Sequence, residues 1–320
     1  MRRLRSVFLA AATAAALAGG QAAAQGRPLR LIVPYPPGPG VDLIARTVST
    51  QLSQTLRQQI VVDNRPGAGS VIGVDLAAKS PPDGNTLLFV NVAYAINAAM
   101  MTKLPYDPLR DLAPVTVVAT QPHILVVNPA VPVKTVRDLI ALAKSKPGEV
   151  TYASAGNGTG PQLVAEMFSN AVGVRMNHIP YKGANPALTD VVGGHAQIMF
   201  ATLVSALPHV QSGRLRAVAV TSAKRARHVP DVPTMIESGL PNFEAVGWYM
   251  VLVPARTPAP IMARMQAAVA EALTQPSVRE RLTGDGAEVV ASKPEEAKRF
   301  LETEVRRWGG VVKAAGLKSE

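Results

Sequence analysis

Apolar residues in this chain fall into two alternating kinds of run. Short continuous runs at residues 29–33, 60–62 and 87–90 have the length and β-branched content of buried strands. Between them apolar positions return at helical spacing. Val41, Ile44, Ala45, Val48, Leu52 and Leu56 form one stripe, and a second helix runs to about Ala78. Pro81-Pro82-Asp83-Gly84 reads as a turn. Such a βαβαβ run predicts a parallel sheet with helices on its faces.

A second run begins near Ile124-Leu125-Val126-Val127. The spacing predicts a helix over 134–146, with Val136, Leu139, Ile140 and Ala143 on one face and Pro147-Gly148 at its end. Strands follow at 150–153, 176–180, 197–200 and 215–220, with helices running through Phe168 and near 184–192 and 203–212. The apolar segment 246–253 reads as a strand crossing back between lobes. Helices at 258–273, 277–283 and 294–315 close the chain, interrupted by a strand at 288–290. The expected organisation is an α/β protein of two doubly wound lobes: residues 25–124 plus 249–320 form lobe 1, and 125–248 form lobe 2.

Two loops stand out. Tyr35-Pro36-Pro37-Gly38-Pro39-Gly40-Val41-Asp42 joins a strand to a helix, with Asp42 as N-cap or first-turn carboxylate. Tyr152-Ala153-Ser154-Ala155-Gly156-Asn157-Gly158-Thr159-Gly160 repeats the device in the other lobe. The first N–H groups of a helix have no intrahelical partner and point at whatever fills the loop before them. Two such cradles, one per lobe, predict an anion held between lobes by backbone dipoles, with hydroxyls of Ser154 and Thr159 as added donors.

The termini and bulk numbers narrow the class. Arg2, Arg3 and Arg5, the apolar stretch 7–17 and Ala22-Ala23-Ala24 have the order of a secretory signal cleaved near Ala24. Losing three arginines lowers the net charge from +11 to +8. Aromatic content of 4% and scattered cations argue against a nucleic-acid partner. With no cysteine, disulfides, thiolate catalysis and Cys-ligated zinc are excluded. The histidines at 123, 178, 195, 209 and 228 lack metal-ligand spacing and read as surface or packing residues. No metal or cofactor is expected.

Enzyme motifs fail one by one. Tyr152 precedes Ser154 where a nucleophile elbow needs glycine. The Gly156–Pro161 loop has no P-loop lysine. Gly67-Ala68-Gly69-Ser70-Val71-Ile72-Gly73 resembles a nicotinamide-binding turn. The next strand, however, ends Phe89-Val90-Asn91 without the ribose-binding acid, so a structural turn with close helix–sheet packing is expected. No catalytic residue is assigned.

At this point the chain resembles the Bug family, the periplasmic substrate-binding proteins of tripartite tricarboxylate transporters. The segments VPYPPGPGVD, VVDNRPGAG, PPDGNTLL, LPYDPLRDLAPV, YASAGNGTG, HIPYKGANPALTDVVGGHAQIMF, LPHVQSGRLRAVAVTSAKR, DVPTMIESGLP, GWYMVLVPARTP and RWGGVVKAAG run in family order over essentially the whole mature chain. The resemblance implies a type II periplasmic-binding-protein fold with a ligand cleft between the lobes. It also implies a small organic carboxylate as ligand, transporter membrane components as partners and a monomeric receptor. Carried over residue by residue, it places Tyr35, Pro37, Gly38, Gly40, Val41 and Asp42 at one side of the cleft. On the other side it places Ser154, Gly158, Thr159, Gln162, Tyr181, Lys182, Ala201 and Thr202. Pro39, Val41, Gln162 and Ala201 depart from the family's usual glycine, hydroxyl, histidine and acid or amide. That makes the first cradle less polar and favours a monocarboxylate with an apolar body. A ligand-sensing protein that signals to a two-component histidine kinase would share these motifs, and a nicotinamide-dependent enzyme is the remaining alternative.

Overall fold

The computed structural model describes residues 28–38, 41–101, 103–284 and 286–314. The expected signal segment, Pro39 and Gly40 lie outside the described residues.

The first sheet is built from β1 (Leu29–Val33), β2 (Ile60–Asn64) and β3 (Thr86–Asn91), all parallel, in the order β2-β1-β3. It continues through antiparallel β9 (Val246–Pro254) to β4 (Leu112–Val127), whose free side takes the short β10 (Glu288–Val289). The second sheet uses the far end of β4. There β4 lies between β8 (Arg216–Val220) and β7 (Ile198–Thr202), and β5 (Thr151–Ser154) and β6 (Asn177–Pro180) extend the sheet in parallel from β7. Along β4 the partner changes from β9 to β7 between Pro122 and His123.

The inner strands alternate their side chains between two covered faces, which is why they read as unbroken apolar runs, whereas the edge strands β2 and β6 stay partly exposed. Leu29, Leu31, Val33, Leu87 and Phe89 pack under α1 (Val41–Leu56), α8 (Ala259–Thr274) and α9 (Pro276–Gly284). Ile32, Leu88 and Val90 face the other way. They join one apolar core with α2 (Val71–Ala78), α3 (Ala93–Met100) and α10 (Pro294–Ala314). That core continues into the second sheet through Leu125, Val127, Ile198 and Phe200, beneath α4 (Val136–Ser145) and α5 (Gly160–Val172). The opposite face of the second sheet, with Val126, Met199 and Ala201, packs on α6 (Ala184–Val192) and α7 (Leu203–Gln211).

Two elements exceed the sequence reading. β4 begins at Leu112 rather than near Ile124. Pro114 and Pro122 disguise it, and its ladder with β9 shifts register between Pro114 and Thr116 and again between Val117 and Ala119. α3 was not expected at all. The Gly67–Gly73 turn is the close-packing device expected of it: a Cβ at Gly73 would lie 2.6 Å from the Arg65 carbonyl oxygen and 2.7 Å from Pro34 Cβ.

Candidate functional site

Both candidate cradles leave the C-terminal ends of parallel strands, where open α/β sheets place their ligands. The first follows β1 and the second follows β5. The second cradle faces the first sheet's helices across a seam: a Cβ added at Gly158 would lie 3.8 Å from Met100 Cε at the end of α3. At the base of the seam, a Cβ at Gly160 would lie 3.1 Å from Nε2 of His123, where β4 changes sheets.

The two cradles are braced alike. In the first, the Gly38 N–H donates to Oδ2 of Asp42, four residues on in the first turn of α1, at 3.0 Å. In the second, the Gly158 N–H donates to Oε1 of Gln162, again four residues on, at 2.6 Å. Each helix thus ties back the loop that precedes it. The two glycine N–H groups expected to meet an anion are therefore taken, and the orphan N–H groups of the first helical turns remain as donors.

The braces differ in charge. Asp42 is buried, and its carboxylate also accepts from Arg46 Nε at 2.9 Å and Asn64 Nδ2 at 2.8 Å. Burial works against its ionisation, but the bonds from Arg46, Asn64 and Gly38 outweigh that and hold the carboxyl below the usual carboxylate range. Asp42 has its bonds within the protein and works as a loop brace. Gln162 is neutral, and its Nε2 lies 3.3 Å from Nδ1 of His178 on β6.

The remaining expected residues divide. Pro37 and Gly38 are exposed in the first loop, while Val41 is half-buried against the α1 core. The Tyr35 hydroxyl donates to Asn91 Oδ1 at 2.6 Å, and burial pushes its pKa up. Thr159, half-buried, caps α5 by position and donates its hydroxyl to the Gly156 carbonyl at 2.6 Å. Ser154 is fully buried and bonded to His178 Nε2 at 2.6 Å, so its hydroxyl faces the interior and not the seam. Tyr181 donates to Asp190 Oδ2 at 2.6 Å, and burial with that carboxylate pushes its phenol up to about 12. Its loop lies beside the second cradle, because Gly183 N–H donates to the Ala155 carbonyl at 3.1 Å. Lys182 there is exposed. Ala201 and Thr202 do not follow β7 but are its last two residues. Ala201 is fully buried toward α6 and α7, and the Thr202 hydroxyl pairs with Ser205 Oγ at 2.7 Å.

Sequence reasoning missed Arg46, Asn64, Asn91, Met100 and the structural role of His178. The four-residue spacing of Gly38, Asp42 and Arg46 could have signalled the first brace. His178 had no local signal, since its partners lie on β5 and α5. A pocket of about 610 Å³ lined by Asp75, Tyr106, Arg110 and Arg256 lies away from both cradles and contains none of the expected residues.

Two α/β sheets sharing one long strand, β4, with a loop of the second sheet facing a helix of the first at a seam, define a bilobed solute-binding protein. The family described as "Tripartite tricarboxylate transporter family receptor" matches residues 44–317. The chain is 40% identical over 294 residues to Protein BugT of Bordetella pertussis (strain Tohama I), covering 91% of this chain and 90% of BugT. Among solved structures it is similar to R. palustris Rpa4515 with adipate, at TM-score 0.75 and 34% identity over 92% of this chain and 98% of that one. It is also similar to MatC (Rpa3494) from Rhodopseudomonas palustris with bound malate, at TM-score 0.72 and 31% identity over 90% of this chain and 99% of that one. The chain belongs to the tripartite tricarboxylate transporter receptor family, a family of periplasmic solute-binding proteins.

Proposed function

We propose that this protein captures a small organic carboxylate between its two lobes and delivers it to the membrane components of a tripartite tricarboxylate-type transporter. The observation that supports this most is the pair of braced cradles. Each brace satisfies the loop glycine internally, and the first-turn N–H groups of α1 and α5 without an intrahelical partner, Pro161 contributing none, are the donors a carboxylate would use. Adipate and malate in the two R. palustris relatives fit the same ligand class.

The working unit in this reading is a monomer that carries no cofactor and binds no nucleic acid. It is exported to the periplasm and cleaved near Ala24. The lobes are residues 25–124 plus 249–320 and residues 125–248. The partner change on β4 at Pro122/His123 supports a boundary close to that.

The protein acts without catalysis. Ser154 and His178 have the separation of a nucleophile and its base, at 2.6 Å. A base, however, must present a lone pair to the hydroxyl. Gln162 donates to His178 Nδ1, which leaves the proton on Nε2, facing Ser154. Ser154 is also buried out of reach of a substrate.

A thermal-shift screen of mono-, di- and tricarboxylates against the mature protein tests the reading. A ligand that binds only the native state raises the melting temperature, by mass action. Binding at 100 times Kd adds about 2.7 kcal/mol of stability. A flat response to every carboxylate at millimolar concentration would reject the proposal.

A further inference from the structure

We propose that His178 is a positioning residue for the second cradle: a one-way hydrogen-bond relay through its neutral Nε2–H tautomer fixes the Gly156–Gly158 loop, and protonation of the ring releases that loop. The inference rests on the reading above for its functional meaning, but the relay itself is set by donor and acceptor identities.

A backbone N–H only donates. The Gln162 atom 2.6 Å from the Gly158 nitrogen is therefore Oε1, and the amide cannot turn over. Its NH₂ then faces His178 Nδ1 at 3.3 Å. An NH₂ also only donates, so Nδ1 is the bare ring nitrogen and Nε2 carries the proton. Nε2–H donates to Ser154 Oγ at 2.6 Å. Ser154 Oγ accepts as well from the Gly156 N–H at 3.1 Å and sends its own proton to the Gly156 carbonyl at 3.1 Å. The chain Gly158 → Gln162 → His178 → Ser154 → Gly156 thus begins and ends on the same loop, with each link running from a donor to an acceptor.

A second proton on the ring has no acceptor. Nδ1–H would face the Gln162 NH₂. Turning the amide would set that NH₂ against the Gly158 N–H, which is again donor against donor. Protonation therefore breaks the relay in either arrangement: between Gln162 and His178 with the amide as it stands, or between Gln162 and Gly158 with it turned.

The surroundings agree. His178 on β6 stacks on Tyr152 of β5, with ring centroids 4.8 Å apart. The acidic group that faces the ring is Glu166 on α5. Its carboxylate also accepts from the Tyr152 hydroxyl. Burial lowers the ring's pKa, and Glu166 works the other way. Around pH 7 the relay is therefore intact, and it fails as pH falls below the ordinary histidine range.

The test needs no ligand, so its failure is distinct from failure to find a carboxylate. Long-range ¹⁵N–¹H spectra of the ligand-free protein should show the Nε2–H tautomer at His178 at pH 7.5. The Gly158 amide should shift on acidification with the same midpoint as the ring. In Gln162→Glu the carboxylate accepts from both Gly158 and Nδ1–H. The tautomer should then reverse, the ring midpoint should rise, and the Gly158 amide should stop following it. An Nδ1–H tautomer in the wild type, or a Gly158 amide indifferent to ring titration, overturns the proposal. A folded Gln162→Glu protein that titrates like the wild type overturns it as well. If Gln162→Glu does not fold, the two wild-type readouts decide.

Discussion

At the scale of single residues, polar groups at the two cradles are committed to holding loops in shape. Asp42, Ser154 and Thr202 look in sequence like groups aimed at a ligand. A polar residue at a βα turn looks the same whether it faces solvent or braces the turn. What decides is a partner far along the chain, such as Asn64 for Asp42 or His178 for Ser154. Thr159→Ala removes the bond to the Gly156 carbonyl, and ligand affinity should fall by roughly 0.5–1.5 kcal/mol. Gly158→Val should cost more. Gly158 has φ +73°, which a β-branched residue strongly resists. Calorimetry on both variants checks the order, and wild-type affinity in a folded Gly158→Val protein would remove this loop from the site. His123 makes a separate prediction. Burial holds its imidazole down at about 4, against the Ala245 carbonyl, which works the other way. The unfolded chain takes this proton near pH 6.5 and the native protein only near 4. The associated stability is therefore intact above pH 6.5 and is lost as pH falls toward 4, about 3 kcal/mol in total. Urea unfolding from pH 7.5 to 4 should show that loss, and His123→Phe should flatten the slope. An equal slope in both proteins would refute it.

At the scale of elements, helices were legible wherever an apolar stripe was bounded by glycine or proline. The segment 134–146 resolves into α4 behind a Thr135–Asp138 capping box, and 184–192 matches α6. Elements that owe their form to tertiary partners were not legible. α3 is short and lacks a side-chain cap, and the first half of β4 is a strand because β9 pairs with it through two register shifts. The closing helix α10 shows what such partnership contributes. Glu304 on this helix is fully buried, and its Oε2 accepts from Trp248 Nε1 on β9 at 2.8 Å and Trp308 Nε1 at 3.0 Å. Its Oε1 accepts from Arg307 at 2.6 Å. Glu304→Ala would strand both indole N–H groups and the guanidinium, and should destabilise the protein by about 3–5 kcal/mol. Glu304→Gln keeps an acceptor for the indoles and should cost less. Urea unfolding followed by fluorescence reads this directly, since the chain's two tryptophans are the ones bound to Glu304. Equal losses in the two variants would show that the acceptor is not what matters.

At the scale of the whole molecule, β4 runs from one sheet into the other, the chain crosses back just before β9, and an apolar core runs beneath both sheets, so a hinge at these two crossings is the motion the topology allows. The alternation of strand and helix made the two-lobed plan readable. The chemistry of the seam was not readable, because it depends on which loops meet. Across that seam the braces are unequal. The first cradle has a buried carboxylate, Asp42, beneath it, while the second rests on the neutral Gln162. An anion at the first cradle meets both the α1 dipole and the Asp42 charge, which Arg46 offsets through one bond at 2.9 Å. An anion at the second meets the α5 dipole with no opposing charge in its brace. Val41 and Tyr35 beside the first cradle instead suit an apolar or aromatic group. A carboxylate should therefore seat in the second lobe, with the rest of the ligand against the first. A monocarboxylate with an apolar body should bind better than citrate, whose further charges would be desolvated with too few donors. Val41→Thr should move the preference toward dicarboxylates by supplying a hydroxyl. Calorimetry with benzoate, a branched monocarboxylate, adipate and citrate decides it. Tight citrate binding with no heat from either monocarboxylate would mean that ordered water supplies the donors the first cradle lacks.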